Sequence, residues 1–256
     1  MRLSSSFVLG LAAGVCLSLP AAAQDRSFNF SLRGGVGVGP AYPGADSSEA
    51  QADGGFKFGA LNWGGINTGN GIGNIPDNGL SFGGAFRIIG SRDADDNPEL
   101  AGLEDIDTAV ELGISLTYRQ TNWLAFGEVR QGFGGHDGVT GTVGADYIFR
   151  PNDRLTISAG PRLNMGDADY ANTYFGITAD EAAASNFGAY DADGGLLGTA
   201  FQVHGNYELN DDWALEGLLS YELLRNSAAD SPITQAGSED QWRVSIGLSR
   251  AFTLRF

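Results

Sequence analysis

The last sixteen residues, QWRVSIGLSRAFTLRF, place Trp242, Val244, Ile246, Leu248, Phe252, Leu254 and Phe256 on one phase of a period-2 repeat. Gln241, Arg243, Ser245, Ser249, Thr253 and Arg255 occupy the other phase. Alternation of this kind predicts a β-strand with one apolar and one polar face. Ordinary strands are about five or six residues long. A run of this length suits a tilted strand that crosses a bilayer, one face in lipid and one in a polar lumen. Arg250 falls on the apolar phase, which calls for a local bulge, a snorkelling side chain or a subunit contact there.

The same alternation recurs upstream. Phe28, Phe30, Leu32, Val36 and Val38 mark a first strand through Gly39, and Leu80, Phe82, Phe86 and Ile88 mark another. Further strands follow around Val110–Tyr118, Val139–Phe149, Leu155–Leu163, Phe201–Leu209 and Trp213–Leu223. Trp123 to Gln131 reads less cleanly, because Phe126 shares a phase with Glu128 and Arg130. The Gly/Asn-rich stretch from Asp53 to Ile75 is compatible with one irregular strand or a pair.

Charge decides what these strands enclose. The polar phase carries both signs: Glu111, Arg119, Glu128, Arg130, Asp146, Arg162, Glu208, Glu216 and Arg243. A lumen packed with ion pairs and hydrogen bonds requires such a phase, whereas an Arg facing mid-membrane lipid costs about 2–4 kcal/mol. Connections alternate in length. Long loops (Ser91 to Asp107, Gly132 to Gly138, Gly166 to Gly195, Arg225 to Glu239) interleave with tight turns at Gln120–Asn122, Arg150–Asp153 and Asn210–Asp212. Short periplasmic turns and long outer loops are the asymmetry of outer-membrane barrels. The expected fold is all-β: a transmembrane antiparallel up-and-down β-barrel of 10–12 strands with both termini periplasmic.

The first 23 residues read as an export segment outside the fold. Arg2 is the charged start, Phe7 to Leu19 the apolar stretch, and Ala21-Ala22-Ala23 a small-residue cleavage site. The apolar stretch is too short for a spanning helix, which needs about 20 residues. The only cysteine, Cys16, lies inside it, so residues 24–256 offer neither disulfide nor thiol chemistry. Without Arg2, 14 basic side chains face 31 acidic ones, a net charge of −17. Nucleic-acid binding needs clustered Lys and Arg and is excluded on this balance.

Candidate chemistry is sparse. Of the two histidines, His136 lies in a Gly-rich loop beside Asp137, the only arrangement suggestive of a rim hydrolase. His204 falls on the lumen phase. Neither forms a defined catalytic constellation, no cofactor motif is present, and Gly69-Asn70-Gly71-Ile72-Gly73 is not a phosphate loop. Asp93, Asp95 and Asp96, with Glu99, Glu104, Asp105 and Asp107, form an acidic loop without EF-hand spacing. Solvated loop charge competes there with divalent cations bridging lipopolysaccharide phosphates. Tyr170, Tyr174, Phe175, Phe187 and Tyr190 concentrate aromatics in the longest loop. They either fold it onto the barrel mouth or form, with His136 and the acidic loop, an outer binding surface. Thr178 to Ser185 carries a capping-box pattern, Thr178 with Glu181, and predicts a short helix.

Several stretches resemble the MipA/OmpV family of outer-membrane proteins. They are GPAYPG (Gly39–Gly44), GLEDIDTAVELG (Gly102–Gly113), EVRQGFGGHDG (Glu128–Gly138), GADYIFRPNDRLTISAGPRL (Gly144–Leu163) and DADYANTYFGIT (Asp167–Thr178), followed by AAAS (Ala182–Ser185), YDADGG (Tyr190–Gly195) and ADSPI (Ala229–Ile233). The resemblance implies an outer-membrane barrel that acts as a non-catalytic scaffold. Its implied partners are a lytic transglycosylase and a bifunctional penicillin-binding protein that remodel peptidoglycan. Relatives described as adhesins, porin-like proteins or binders of cationic compounds keep a small diffusion channel and a surface-binding role open as alternatives.

Overall fold

A computed structural model describes residues 26–63, 66–69, 78–94 and 96–256. The export segment, Asp95 and most of the region between Trp63 and Asn78 lie outside these residues. The strands are β1 (Ser27–Pro40), β2 (Ser48–Trp63), β3 (Ile66–Gly69), β4 (Gly79–Ile89), β5 (Ala109–Arg119) and β6 (Trp123–Gly134). They continue as β7 (Val139–Asn152), β8 (Leu155–Gly166), β9 (Gly195–Glu208), β10 (Trp213–Leu224) and β11 (Asp240–Arg255). All pairings are antiparallel, in the order β3-β2-β1-β11-β10-β9-β8-β7-β6-β5-β4. The first and last strands pair along their length, from Ser27 with Arg255 to Val38 with Val244. The opposite seam brings β4 against β2 and β3. Among the described residues, ten long strands and one short one therefore form a nearly closed up-and-down barrel, within the expected range.

Side-chain phase follows the sequence. Leu112, Ile114, Leu116, Val244, Ile246 and Leu248 are exposed on the outer wall, while Glu111, Arg130, Asp146, Arg162 and Ser245 are buried inside. So much exposed apolar surface makes sense only where hydrocarbon replaces water. Of the two alternatives for the Asp53 to Ile75 stretch, the described residues show a pair: β2, which begins earlier at Ser48, and the short β3. It is β2 that is irregular. Its phase breaks at Gly59, which has no partner where Asn29 pairs Ala60 and Phe30 pairs Phe58. This one-residue bulge flips the alternation and hides the strand from a period-2 reading.

The short turns share a device. Asn152 Oδ1 accepts hydrogen bonds from the Arg154 and Leu155 N–H groups, and Asn210 Oδ1 from those of Asp212 and Trp213, all near 3.0 Å. An Asx side chain thus satisfies the backbone donors that a tight reversal exposes. β7 runs on through Arg150 to Asn152, so this turn is tighter than expected. The first described residue and the C-terminus meet at this end, where the Phe256 N–H bonds the Arg26 carbonyl. Aromatic and basic side chains ring it: Arg26 over Trp63, Tyr118 against Trp123, and Trp63 against Phe256. Arg250 pairs in register with Trp213, the first residue after a turn. Its guanidinium lies 5.3 Å from the Trp213 ring and 5.1 Å from that of Phe252. Of the three explanations open for Arg250, an interfacial snorkel with cation–π contacts accounts for it.

Ile114, 72% exposed near the middle of β5, is the sharpest test of outward orientation. Ile114→Arg is expected to lower unfolding free energy in lipid vesicles by about 2–4 kcal/mol. An unchanged value would mean that this face does not meet lipid.

Candidate functional site

The outer loops do not project as separate arms. They fold into a plug over the barrel mouth, built around α1 (Ala168–Phe175), α2 (Ala179–Ala184), α3 (Ser227–Asp230), α4 (Pro232–Ala236) and a 3-10 turn at Pro98–Leu100. Asp167 starts α1 by accepting the Tyr170 N–H at 2.9 Å, and its other oxygen holds the Val139 N–H at 2.8 Å. The helix is thereby tied to the top of β7. The expected capping box opens α2: Thr178 Oγ1 accepts the Glu181 N–H, and Glu181 Oε2 accepts the Thr178 N–H at 2.8 Å.

Two apolar cores hold the plug. Ile106, Ala171, Tyr174, Phe175, Leu197 and Leu224 belong to one, and Tyr42, Leu100, Leu103, Ile177 and Ile233 to the other. Burying each large side chain contributes about 1.5–3 kcal/mol, enough to order loops that would otherwise be solvated. Buried Arg92 donates to the carbonyls of Tyr174 (3.2 Å) and Glu104 (3.3 Å), and Ser231 donates to that of Phe175 at 2.7 Å. Gln241, at the top of β11, accepts from the Gly44 N–H and donates to the Ala45 carbonyl, clamping the β1–β2 loop. Gly44 sits at φ +95°, and a Cβ there would meet Thr234 Oγ1 at 2.8 Å. Glycine is needed at that position for both reasons.

Under the plug, a polar girdle runs along the inner wall. Glu111 on β5 receives Arg87 from β4 through two hydrogen bonds of 2.6 and 2.7 Å, and the Arg130 Nε from β6 at 2.9 Å. Arg130 also contacts Glu128 and donates to Thr142 on β7 at 3.0 Å. Thr142 donates to Asn164 on β8 at 3.1 Å, and Asn164 donates to Glu222 on β10 at 2.7 Å. That last step crosses β9 at Gly198, where a Cβ would lie 1.9 Å from Glu222 Oε1. Two further groups lie on the inner wall. Arg162 contacts both Asp146 oxygens, at 2.8 and 2.9 Å, and stacks over Phe126. Arg33 bonds Asp53 at 2.7 Å and approaches Glu216, which also meets His204 at 3.3 Å. Phe126 therefore shares the polar phase because it carries a guanidinium.

Of the residues expected to form a lumen network, Glu111, Glu128, Arg130, Asp146, Arg162 and Glu216 are ion-paired inside the barrel. Arg243 lines the central cavity, while Arg119 and Glu208 end their strands at the turn side. Arg87 and Asp53 were not anticipated, and Arg33, on the polar phase of the first strand, was not expected in the charge network. Arg87 shows the same alternation within β4, whereas Asp53 lies on the strand hidden by the bulge.

The expected outer surface needs correction. His136, Tyr174 and Phe175 are 3%, 1% and 2% exposed and belong to the plug interior, because the loop aromatics fold down onto the mouth. Tyr190 is half-buried, its hydroxyl donating to the Ser227 carbonyl at 2.9 Å. Asp93 and Asp96 are exposed. The His136 ring lies over Gly132, edge-on to Tyr170 and Tyr174. Its Nδ1 accepts the Gly138 N–H, and its Nε2 is 3.3 Å from Glu111 Oε1. With both nitrogens so directed, the imidazole is held as a packing element and no His136–Asp137 pair forms. Burial holds the His136 pKa below its ordinary 6.5, with Glu111 opposing. Among the described residues, no three His, Cys, Asp or Glu side chains converge as metal ligands.

The girdle and plug enclose a cavity of about 610 Å³, roofed by Tyr42, Tyr170 and Phe175 and lined below by Arg87, Glu222 and Arg243. The arrangement packs the loops over the outer end of the lumen and leaves a charged chamber beneath them.

Glu111→Ala strands Arg87 and Arg130 without their shared carboxylate, and is expected to cost about 3–5 kcal/mol in denaturant unfolding. A loss under 1 kcal/mol would show that the girdle does not stabilise the barrel. Because burial lowers the His136 pKa in the folded state, its contribution is present above pH 6.5 and declines as pH falls below it, where the unfolded chain binds the proton more readily. Stability measured at pH 7.5 and about pH 5 should fall more in the native protein than in His136→Phe. Equal falls contradict the assignment.

The family described as MltA-interacting protein MipA matches residues 32–252. No curated protein matches the chain significantly. Among solved structures, OprG from Pseudomonas aeruginosa is similar at 13% identity, covering 89% of this chain and 97% of that one, with a TM-score of 0.35. OmpT of Vibrio cholerae shares 10% identity over 90% and 98% of the two chains, TM-score 0.35. Ail of Yersinia pestis shares 9% over 88% and 99%, TM-score 0.29.

Proposed function

The chain belongs to the MipA family of MltA-interacting proteins, and on that premise we propose that this outer-membrane barrel acts by binding rather than by catalysis or conduction. In this reading it is a scaffold for peptidoglycan-remodelling enzymes on the periplasmic side, a lytic transglycosylase and a bifunctional penicillin-binding protein. The observation that carries it is the plug. Two apolar cores in the loops over the outer mouth, resting on an ion-paired girdle along the inner wall, favour an anchor over an open pore. Among the described residues, a partner in the periplasm meets the turns at 120–122, 153–154 and 209–212, Arg26 and the C-terminal end of β11. The contact is accordingly small or spread around the rim, where Arg26, Arg154 and Arg255 alternate with Asp153, Asp211 and Asp212.

The chamber supports a second reading, a small diffusion channel, because its wall is charged and accessible. The exposed acids Asp93 and Asp96 support binding of cationic compounds or cation-bridged lipopolysaccharide at the outer rim.

Photo-crosslinkers placed at Thr121 and Asp211 in intact cells are expected to capture a murein hydrolase or synthase, and the purified barrel should be silent in planar bilayers. Regular ion-selective steps together with no periplasmic capture would overturn the scaffold reading in favour of the channel.

A further inference from the structure

The polar girdle does not encircle the lumen. It begins at Arg87 on β4 and ends at Glu222 on β10, whose carboxylate accepts one side-chain hydrogen bond, from the neutral Asn164 amide. The sector between these ends, formed by β11, β1 and β2, presents Arg243. Arg243 stands on the inward phase and is nonetheless exposed, because the space it faces is the chamber it lines. Among the described residues it has no carboxylate within 4.0 Å, unlike Arg33, Arg87, Arg130 and Arg162.

Strand register sets these groups side by side. Ser220 faces Arg243 across β10 and β11, Gln202 faces Ser220 across β9 and β10, and Glu222 stands one step above on the same face of β10. The other arginines around the chamber are matched, Arg162 with Asp146, and Arg87 and Arg130 together with Glu111 and Glu128. What is left is one cation, Arg243, and one anion, Glu222, neither in a salt bridge within 4.0 Å among the described residues, flanked by a hydroxyl and an amide, in about 610 Å³. That volume falls in the range of small-ligand pockets, roughly 300–1,000 Å³. A ligand of large net charge would be opposed by one of the two groups, whereas a dipolar ligand satisfies both.

We infer that the chamber is a binding site for a small zwitterion of the amino-acid or short-peptide class, its carboxylate held by Arg243 and its ammonium by Glu222. Ser220 and Gln202 supply neutral hydrogen bonds between the two charged ends, and Tyr42, Tyr170 and Phe175 close the site from the outer side. The site stands apart from the periplasmic scaffold role, which makes no use of the chamber.

Calorimetric titration of the folded protein in detergent with L-alanyl-L-alanine, its N-acetyl form and its C-terminal amide tests the assignment. The free dipeptide should bind saturably, and each blocked form should bind roughly tenfold more weakly or worse, since each loses one charge-assisted contact. Arg243→Gln should abolish discrimination against the amide while keeping it against the N-acetyl form, and Glu222→Gln should do the reverse. No saturable binding of the free dipeptide, or equal binding of all three compounds, overturns the inference. So does unaltered discrimination in both variants. The three-compound comparison is made on the unsubstituted protein, so a variant that fails to fold leaves the test intact.

Discussion

A backbone N–H or carbonyl in hydrocarbon has no water to turn to, and leaving it unpaired costs several kcal/mol. That constraint organises this chain. Each long strand spends its backbone groups on neighbours, and the pairing of the first strand with the last removes the edge at that junction. Once the sheet curls into a barrel, alternation acquires two solvents. One phase must suit lipid and the other must fill or line the lumen. The exposed Leu112, Ile114 and Leu116 and the buried Glu111 and Arg130 are consequences of that single closure.

Inside, the same low-dielectric surroundings that penalise a lone charge reward a saturated one. Glu111 is tolerable in full burial because two guanidiniums meet it, and Arg130 because it spans two carboxylates and a hydroxyl. Glycines make the geometry feasible: Gly132 leaves room for the His136 ring, and Gly198 lets Asn164 reach across a strand to Glu222. The plug rests on this girdle, with Tyr170 and Tyr174 packed against His136. Membrane wall, lumen chemistry and outer plug are therefore packed against one another without a break.

The barrel was legible because alternation is a local signal that persists over many residues. The strand boundaries at Ala109–Arg119 and the turn at 120–122 follow from it directly. β2 was legible only as an irregular stretch with unset bounds, because the bulge at Gly59 inverts its phase midway. The site was legible only in part. Phase identified Glu111, Arg130 and Arg162 as inward. Which inward charges pair depends on register between strands, a long-range property that no single strand encodes. The plug was harder still. A capping box announced α2, but α1 depends on Asp167 engaging Val139, and the burial of Tyr174 depends on the α3 and α4 loop closing over it.

The central claim is that one phase of every long strand faces lipid and the other a closed, charged interior. Single cysteines serve as direct reporters, since the sequence after residue 23 contains none. Fluorophores attached at Ile114→Cys and Val244→Cys, and at Thr142→Cys and Ser220→Cys, in vesicles containing brominated lipids report which side chains touch acyl chains. Strong quenching at 114 and 244 with little at 142 and 220 is the predicted result. Comparable quenching at all four positions, or quenching confined to 142 and 220, would contradict the account.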